Sequence, residues 1–433
     1  MSSITAPLRT PVLSVVPIRA LVDETFKVLV ENLSPGRPVT VRSLHHSEDR
    51  DDWEAYGHYI SDHRGTVSVS DDSSFGGSYS GKEPMGLLWS MRPVPGSRPG
   101  LRLRKRDITS PLLVNISVYS GHEGFRDQEP LASVVTERWY MAPGVKRVEV
   151  KEQGIRGTLF IPPGPGPFAG LLDLWGGGGG LLEYRAALLA SHGYVCLALE
   201  YLRTSEMKSG KNEQLYFEAA FNIIKFHPQV MPDRVGLFGL SMGSLISMYL
   251  AAESAAVKPR CCVCISCNHS YLPGKHITDG YSGLLNENYN KVRTDENNYT
   301  IWRDMGLEIV RKVENNIDVG KISCPILLVN GQDDQNWPSV ESAEDIAAKL
   351  RAAGKEHLLT RLTYPNAGHL IEPPFSPHFR ATNFKNIITN EKVVMLWGGQ
   401  TKPHSDAQED SWRKILSFLQ LHMYSSSSPR AKL

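Results

Sequence analysis

Two rhythms of apolar and polar residues divide the chain near residue 143. Up to about Tyr140, short β-type runs alternate with turn clusters, at 26–30, 39–42, 66–69 and 113–118. Such runs bounded by Gly, Pro, Asp and Ser predict strands, and their succession predicts an all-β sandwich. From about Val148 the rhythm changes to strands alternating with helices. Residues 194–199 read as a strand and 213–226 as a helix, with Leu215, Ala219, Ala220, Ile223 and Phe226 on one face. Alternation of this kind predicts a parallel sheet covered by helices on both sides. The expected organisation is a first domain over 1–143, a second over 144–424 and a polar tail at 425–433. Residues about 268–318 are polar and interrupt the second domain, where they predict a cap over the carboxyl edge of the sheet.

Within the second domain, the apolar run 235–238 leads into Gly239-Leu240-Ser241-Met242-Gly243, and 244–252 then reads as a helix. Strand, Gly-x-Ser-x-Gly and helix form the context of a nucleophile elbow. A serine there needs a base and an orienting acid, which in this topology follow in the order acid, histidine. Residues 325–330 read as a buried strand followed by Asp333 and Asp334. Residues 359–364 read as another strand, with Gly368-His369 in the loop beyond it. Each group therefore stands past the end of a strand, at one edge of a parallel sheet. Ser241 is the expected nucleophile, His369 the base and Asp334 the acid, with Asp333 as its rival; the other histidines read as surface or core residues.

A strand at 171–175 runs into five glycines at 176–180. No Gly-Lys-Ser/Thr follows, and Leu181 stands where a dinucleotide fingerprint needs glycine. The run reads as the second half of an oxyanion hole, with N–H groups of Gly176, Gly177 and Gly178 joining that of Met242.

Composition narrows the partners. The 433 residues carry a net charge of +1, so no overall charge draws the chain to nucleic acid. No apolar run is long enough to span a membrane. Six cysteines are present, and Cys264-x-x-Cys267-x-His269 resembles half of a zinc site. A second cluster at finger spacing is missing, so the thiols are expected to be buried strand residues, with neither metal nor cofactor.

Several longer segments are similar to one family. They are Pro38-Val39-Thr40-Val41-Arg42-Ser43, Glu83-Pro84-Met85-Gly86-Leu87-Leu88-Trp89 and Gly178-Gly179-Gly180-Leu181-Leu182-Glu183-Tyr184-Arg185-Ala186. Gly331-Gln332-Asp333-Asp334-Gln335-Asn336-Trp337, Gly368-His369-Leu370-Ile371-Glu372-Pro373-Pro374 and Trp397-Gly398-Gly399 complete the set. Over nearly its whole length the chain resembles the type I acyl-CoA thioesterase and bile acid-CoA:amino acid N-acyltransferase family. The resemblance implies an α/β-hydrolase catalytic domain behind the β-sandwich, and hydrolysis of fatty acyl-CoA to fatty acid and CoA. It places the triad on Ser241, Asp334 and His369. Conjugating members of the family carry cysteine at the nucleophile; serine here favours hydrolysis, because its acyl-enzyme is an ester open to water. Amide formation on glycine or taurine is the alternative, and acyl-CoA binding without turnover is a third reading. Arg203, Lys208 and Lys211 are candidates for the CoA phosphates. The closing Ala431-Lys432-Leu433 approximates a peroxisomal address for the import receptor. Arg9 and Arg19, with no acid in the first 22 residues, compete as a mitochondrial presequence, and the cytosol is the other alternative.

Overall fold

The computed structural model describes residues 10–152, 154–202, 213–273, 276–386 and 390–425. Two compact units are present. One runs to Tyr140 and takes in Pro374–His378; the other comprises Met141–Pro373 and the chain from Phe379 onward. The five residues at 374–378 cluster with the first unit although they follow the His369 loop in sequence. No local pattern marks that return, since it depends on contacts distant along the chain.

The first unit is built from a six-stranded and a three-stranded sheet. Pro38–His46 pairs antiparallel with Asp52–Ile60 on one side and Leu112–Ser120 on the other, and Ala132–Trp139 extends the sheet. The smaller sheet joins Val12–Val16, Lys27–Glu31 and Val67–Ser68. Its central strand alternates as one buried face demands: Val28 and Val30 are buried, Lys27 and Glu31 exposed.

The second unit is organised by an eight-stranded sheet. Its strands are β1 (Lys146–Val150), β2 (Gly157–Ile161), β3 (Phe168–Leu174), β4 (Tyr194–Leu199), β5 (Val230–Leu240), β6 (Cys262–Ile265), β7 (Ile326–Gly331) and β8 (Leu359–Tyr364). The spatial order is β1-β2-β4-β3-β5-β6-β7-β8. β2 is antiparallel to both neighbours, and all pairs from β4 to β8 are parallel. β4, β6 and β7 are buried along their whole length, the signature of strands covered on both faces. The chain leaves β3 towards β4 and returns on its other side as β5. That reversal opens a crevice at the carboxyl ends of β3 and β5, where ligands bind in such sheets.

The helix Glu213–Lys225 corrects one expectation. Phe217, Ala220, Phe221 and Ile224 face inward, while Leu215 and Phe226 are exposed. Two apolar stripes compete on this helix, and the one with two phenylalanines buries more area. The polar stretch 268–318 has an apolar interior of its own. Its helices Ile277–Asn288 and Arg303–Arg311 bury Ile277, Tyr281, Leu284, Leu285, Met305 and Ile309. A short strand, Thr300–Ile301, joins Lys392–Leu396, which forms a hairpin with Ala381–Lys385. This small sheet had no signature in the local pattern.

Candidate active site

β5 ends at Leu240 and the helix Met242–Glu253 begins at Met242, so Ser241 alone makes the turn. Its φ of 55° and ψ of −115° are strained for a residue with a Cβ, at a cost of about 1–3 kcal/mol. Neighbours hold it there. The Ser241 N–H donates to the Ile265 carbonyl at 2.9 Å, and its carbonyl accepts from Ser244 N–H at 2.9 Å. Ser244 Oγ donates to that same carbonyl at 2.6 Å. A Cβ on Gly239 would overlap the Gly243 carbonyl, and one on Gly243 would overlap the Leu174 carbonyl. Both glycines are thus required by close backbone approach. The side chain of Ser241 is half-buried at the carboxyl edge of the sheet.

β3 and β5 pair with Leu174 opposite Gly239, which brings the glycine run beside the elbow. A Cβ on Gly176 would stand 3.6 Å from the Ser241 Cβ, and one on Gly177 3.9 Å from the Met242 sulfur. A Cβ on Gly178 would meet nothing within 4 Å. Gly176 therefore stands beside Ser241 and Gly177 beside Met242. The Met242 N–H, first in its helix, has no intrahelical acceptor and can serve an oxyanion.

Asp334 and His369 meet from the loops beyond β7 and β8. The His369 Nδ1 lies 2.7 Å from Asp334 Oδ2, and both side chains are buried. The other carboxylate oxygen accepts the N–H groups of Asn336 at 3.0 Å and Trp337 at 2.9 Å. An acceptor so fixed puts the histidine proton on Nδ1 and leaves Nε2 as the basic nitrogen. The imidazole lies nearly parallel to the Trp397 indole, at 17° with centroids 5.6 Å apart. The Trp397 carbonyl accepts the His369 N–H at 2.9 Å, and Ser266 Oγ donates to the His369 carbonyl.

Asp333 turns the other way. Its Oδ2 accepts Gly399 N–H at 2.8 Å and Arg380 Nη1 at 3.2 Å, and its Oδ1 accepts Gln335 Nε2 at 2.8 Å. It ties loops together, and Asp334 is the carboxylate facing the imidazole.

One buried histidine near the site had no sequence signal. His404, on the helix Thr401–Met423, accepts the Gly368 N–H at Nδ1 (3.0 Å) and donates from Nε2 to the Leu370 carbonyl (2.8 Å). It brackets the His369 loop from both sides. The Cys264–Cys267–His269 spacing does not make a metal site. His269 Nε2 lies 2.6 Å from Asp345, and Cys267 Sγ lies against the Ser339 carbonyl at 3.2 Å. Among the described residues no group of three or more His, Cys, Asp or Glu could hold a metal ion. All six thiols are buried, and burial pushes those of Cys196, Cys261, Cys264 and Cys267 above the ordinary range. Arg203, Lys208, Lys211 and the closing tripeptide lie outside the described residues. No helix among the described residues is long and apolar enough to cross a membrane.

Comparison with known proteins bears on the same regions. Residues 213–425 match the family described as BAAT / acyl-CoA thioester hydrolase C terminal, and residues 23–152 match the acyl-CoA thioester hydrolase/BAAT N-terminal region. A peroxisomal succinyl-coenzyme A thioesterase of Mus musculus is 40% identical over 96% of this chain and 98% of its own length. Acyl-coenzyme A thioesterase 1 of the same species is 36% identical, over 92% of this chain and 94% of its own. A bile acid-CoA:amino acid N-acyltransferase from that species is 37% identical, over 95% of this chain and 97% of its own. Matched by both family regions and by relatives along nearly its whole length, the chain belongs to the acyl-CoA thioester hydrolase/BAAT family.

Proposed function

We propose that the protein hydrolyses fatty acyl-CoA thioesters to fatty acid and CoA through an acyl-serine intermediate. The observation that carries this reading is the buried Asp334–His369 pair at 2.7 Å, in the loops beyond β7 and β8, with a strained Ser241 at the carboxyl end of β5 in the same parallel run. Ser241 Oγ attacks the thioester carbonyl as His369 Nε2 takes its proton. Asp334 holds the ring and stabilises the imidazolium. The N–H groups of Met242 and of the glycines at 176–178 receive the oxyanion. The tetrahedral intermediate collapses with cleavage of the C–S bond, and CoA leaves as a thiol with the proton from His369. Water then attacks the ester with His369 as base, and a second collapse frees the acid and restores Ser241. The segment 268–318 shapes the acyl pocket in this reading, and the relative named as peroxisomal supports a peroxisomal location.

Transfer of the acyl group to an amine is the second reading, favoured by the relative named as an N-acyltransferase. CoA release from saturated acyl-CoAs of increasing length, with and without glycine or taurine, separates the two when products are identified by mass. Free acid insensitive to amine is the expected result, and amide would replace hydrolysis with transfer. Ser241→Ala should lower turnover by roughly 10⁴-fold or more. A Ser241→Ala variant that releases CoA at the parental rate would remove the mechanism altogether.

A further inference from the structure

An oxyanion donor works by being fixed in advance, and the glycine run is poorly suited to that by composition. Consecutive glycines have the largest conformational freedom to lose. Something outside the run must restrain it.

The restraint visible here lies at the two stems. Asp173 is the next-to-last residue of β3, and Arg185 is the second residue of the helix Tyr184–Ser191 that follows the loop. Both are buried and paired: Arg185 Nε lies 2.8 Å and Nη2 2.6 Å from Asp173 Oδ1. The pair closes the loop like a clasp. Nη2 also donates to the Leu174 carbonyl at 3.2 Å, and the Tyr201 hydroxyl donates to the Trp175 carbonyl. The two peptides that lead into Gly176 are therefore each held by a side chain. The guanidinium lies 4.2 Å from the Trp175 ring centroid and 4.4 Å from that of Phe238. Phe238 stands on β5 directly opposite Asp173, three positions before the elbow serine. One side chain thus touches the stem of the glycine loop and the strand that carries Ser241. Tyr184, its neighbour, donates to Glu372 at 2.9 Å in the loop beyond His369.

Stability alone does not account for this pair. Burying two opposite charges carries a large desolvation cost, and an apolar pair of similar volume is often as stable. What an apolar pair lacks is direction, and here the direction is set on a carbonyl next to the loop.

We infer that Arg185, held by Asp173, is a positioning residue for the oxyanion hole. It holds the Leu174 carbonyl and packs on the Trp175 ring, and with Tyr201 on the Trp175 carbonyl it sets the direction of the Gly176 and Gly177 N–H groups relative to Ser241. It touches no substrate. The inference rests on the reading of Ser241 and the glycine loop given above.

The test uses the full chain carrying Asp173→Leu together with Arg185→Met, which removes both charges at similar volume. Steady-state kinetics on a saturated acyl-CoA are measured beside binding of two probes. One is a trifluoromethyl ketone analogue of the acyl-CoA, which Ser241 converts to an oxyanion. The other is an unreactive acyl-CoA thioether. The expected result is a kcat lower by about 10- to 100-fold, approaching the loss of one oxyanion donor. KM and thioether binding should stay within about threefold, and ketone affinity should fall in step with kcat. A folded double variant with parental kcat, or one that loses both probes equally, overturns the inference. Should the double variant not fold, Arg185→Lys carries the same comparison, because it keeps a charge beside Asp173 without the fork that also reaches Leu174. Parental kcat and ketone affinity in Arg185→Lys would overturn the inference, and a loss in both with unchanged KM would support it. Ser241→Ala separates the two levels. If it is inactive while the double variant is unimpaired, only the positioning role fails. If Ser241→Ala turns over, the mechanism beneath it has failed instead.

Discussion

Two buried histidines of the second unit each sit against an aspartate, His369 on Asp334 at 2.7 Å and His269 on Asp345 at 2.6 Å. By distance and burial of the ring they are nearly the same. They differ in which nitrogen is used and in what else the carboxylate does. Asp334 binds Nδ1 and is otherwise satisfied by the Asn336 and Trp337 N–H groups, so the pair leaves Nε2 for an outside proton. Asp345 binds Nε2, and shares that same oxygen with Lys349 at 2.8 Å and Asn316 at 3.2 Å. The His269 carbonyl accepts the Ile317 N–H at 2.8 Å, and Ser270 bridges Asn316, so this pair latches the two ends of the 268–318 segment. A histidine–carboxylate pair is a triad element only when the free nitrogen faces a nucleophile. The same pair turned over is a fastener.

The sharpest way to break that contrast is to remove each carboxylate's charge in turn. Asp334→Asn should lower kcat by roughly 10³- to 10⁴-fold with the fold intact, because an amide no longer selects the productive tautomer. Asp345→Asn should leave kcat within about threefold and lower unfolding stability by about 1–3 kcal/mol, the usual cost of weakening a buried hydrogen-bond network. Kinetics and urea unfolding on both variants decide it. A large kcat loss from Asp345→Asn would show that the latch reaches the chemistry.

The contrast also explains what the sequence made legible. The places of Ser241, Asp334 and His369 past the ends of strands could be read because strands announce themselves by buried apolar runs such as 326–331. The sequence favoured Asp334 over Asp333, but the opposite directions of the two carboxylates were not legible, because adjacent aspartates have one composition. Gly399 and Arg380, which hold Asp333, lie far along the chain. His404 escaped for a related reason: its partners are an amide N–H and a carbonyl, which every residue has. The helix at 213 was readable, but its buried face was not. Leu215 and Phe217 compete on equal terms until the neighbouring strands are in place. Cys264 is a buried strand thiol, whereas Cys267 is buried just past the strand, a boundary that cysteine spacing alone does not mark.

Within the active-site loops the contrast predicts a smaller effect at Asp333. Its hydrogen bonds to Gly399 N–H, Arg380 and Gln335 are structural, and the carboxylate is partly solvated. Asp333→Asn should lower stability by about 1 kcal/mol and kcat by no more than a few-fold. A loss at Asp333 larger than that at Asp334 would reverse their roles.

The smallest effect concerns pH and belongs to the fastener. Burial lowers the His269 pKa against the opposing pull of Asp345, so the native ring stays neutral where the unfolded chain, with its ordinary value near 6.5, takes up a proton. Stability from this residue is full above about pH 6.5 and falls as the pH drops below it, since the unfolded state then binds more protons. Asp345 acts in a lower window. Burial raises its carboxyl, but bonds from His269 and Lys349 more than reverse this and hold it down at about 2. Its contribution is full above its ordinary 3.8 and is lost as the pH falls towards about 2. Between the ordinary 6.5 of the histidine and the ordinary 3.8 of the aspartate, it is therefore protonation of His269 in the unfolded chain that changes the stability of the pair. His269→Gln keeps a donor for Asp345 and removes the titration. His45, His58, His227 and His422 are also lowered by burial and remain in both proteins, so they cancel in the difference. Urea midpoints at pH 7 and pH 5 should fall less in His269→Gln than in the parent. Equal falls would mean that His269 is charged in the native latch, and that the pair is an ion pair rather than a neutral donor on a carboxylate.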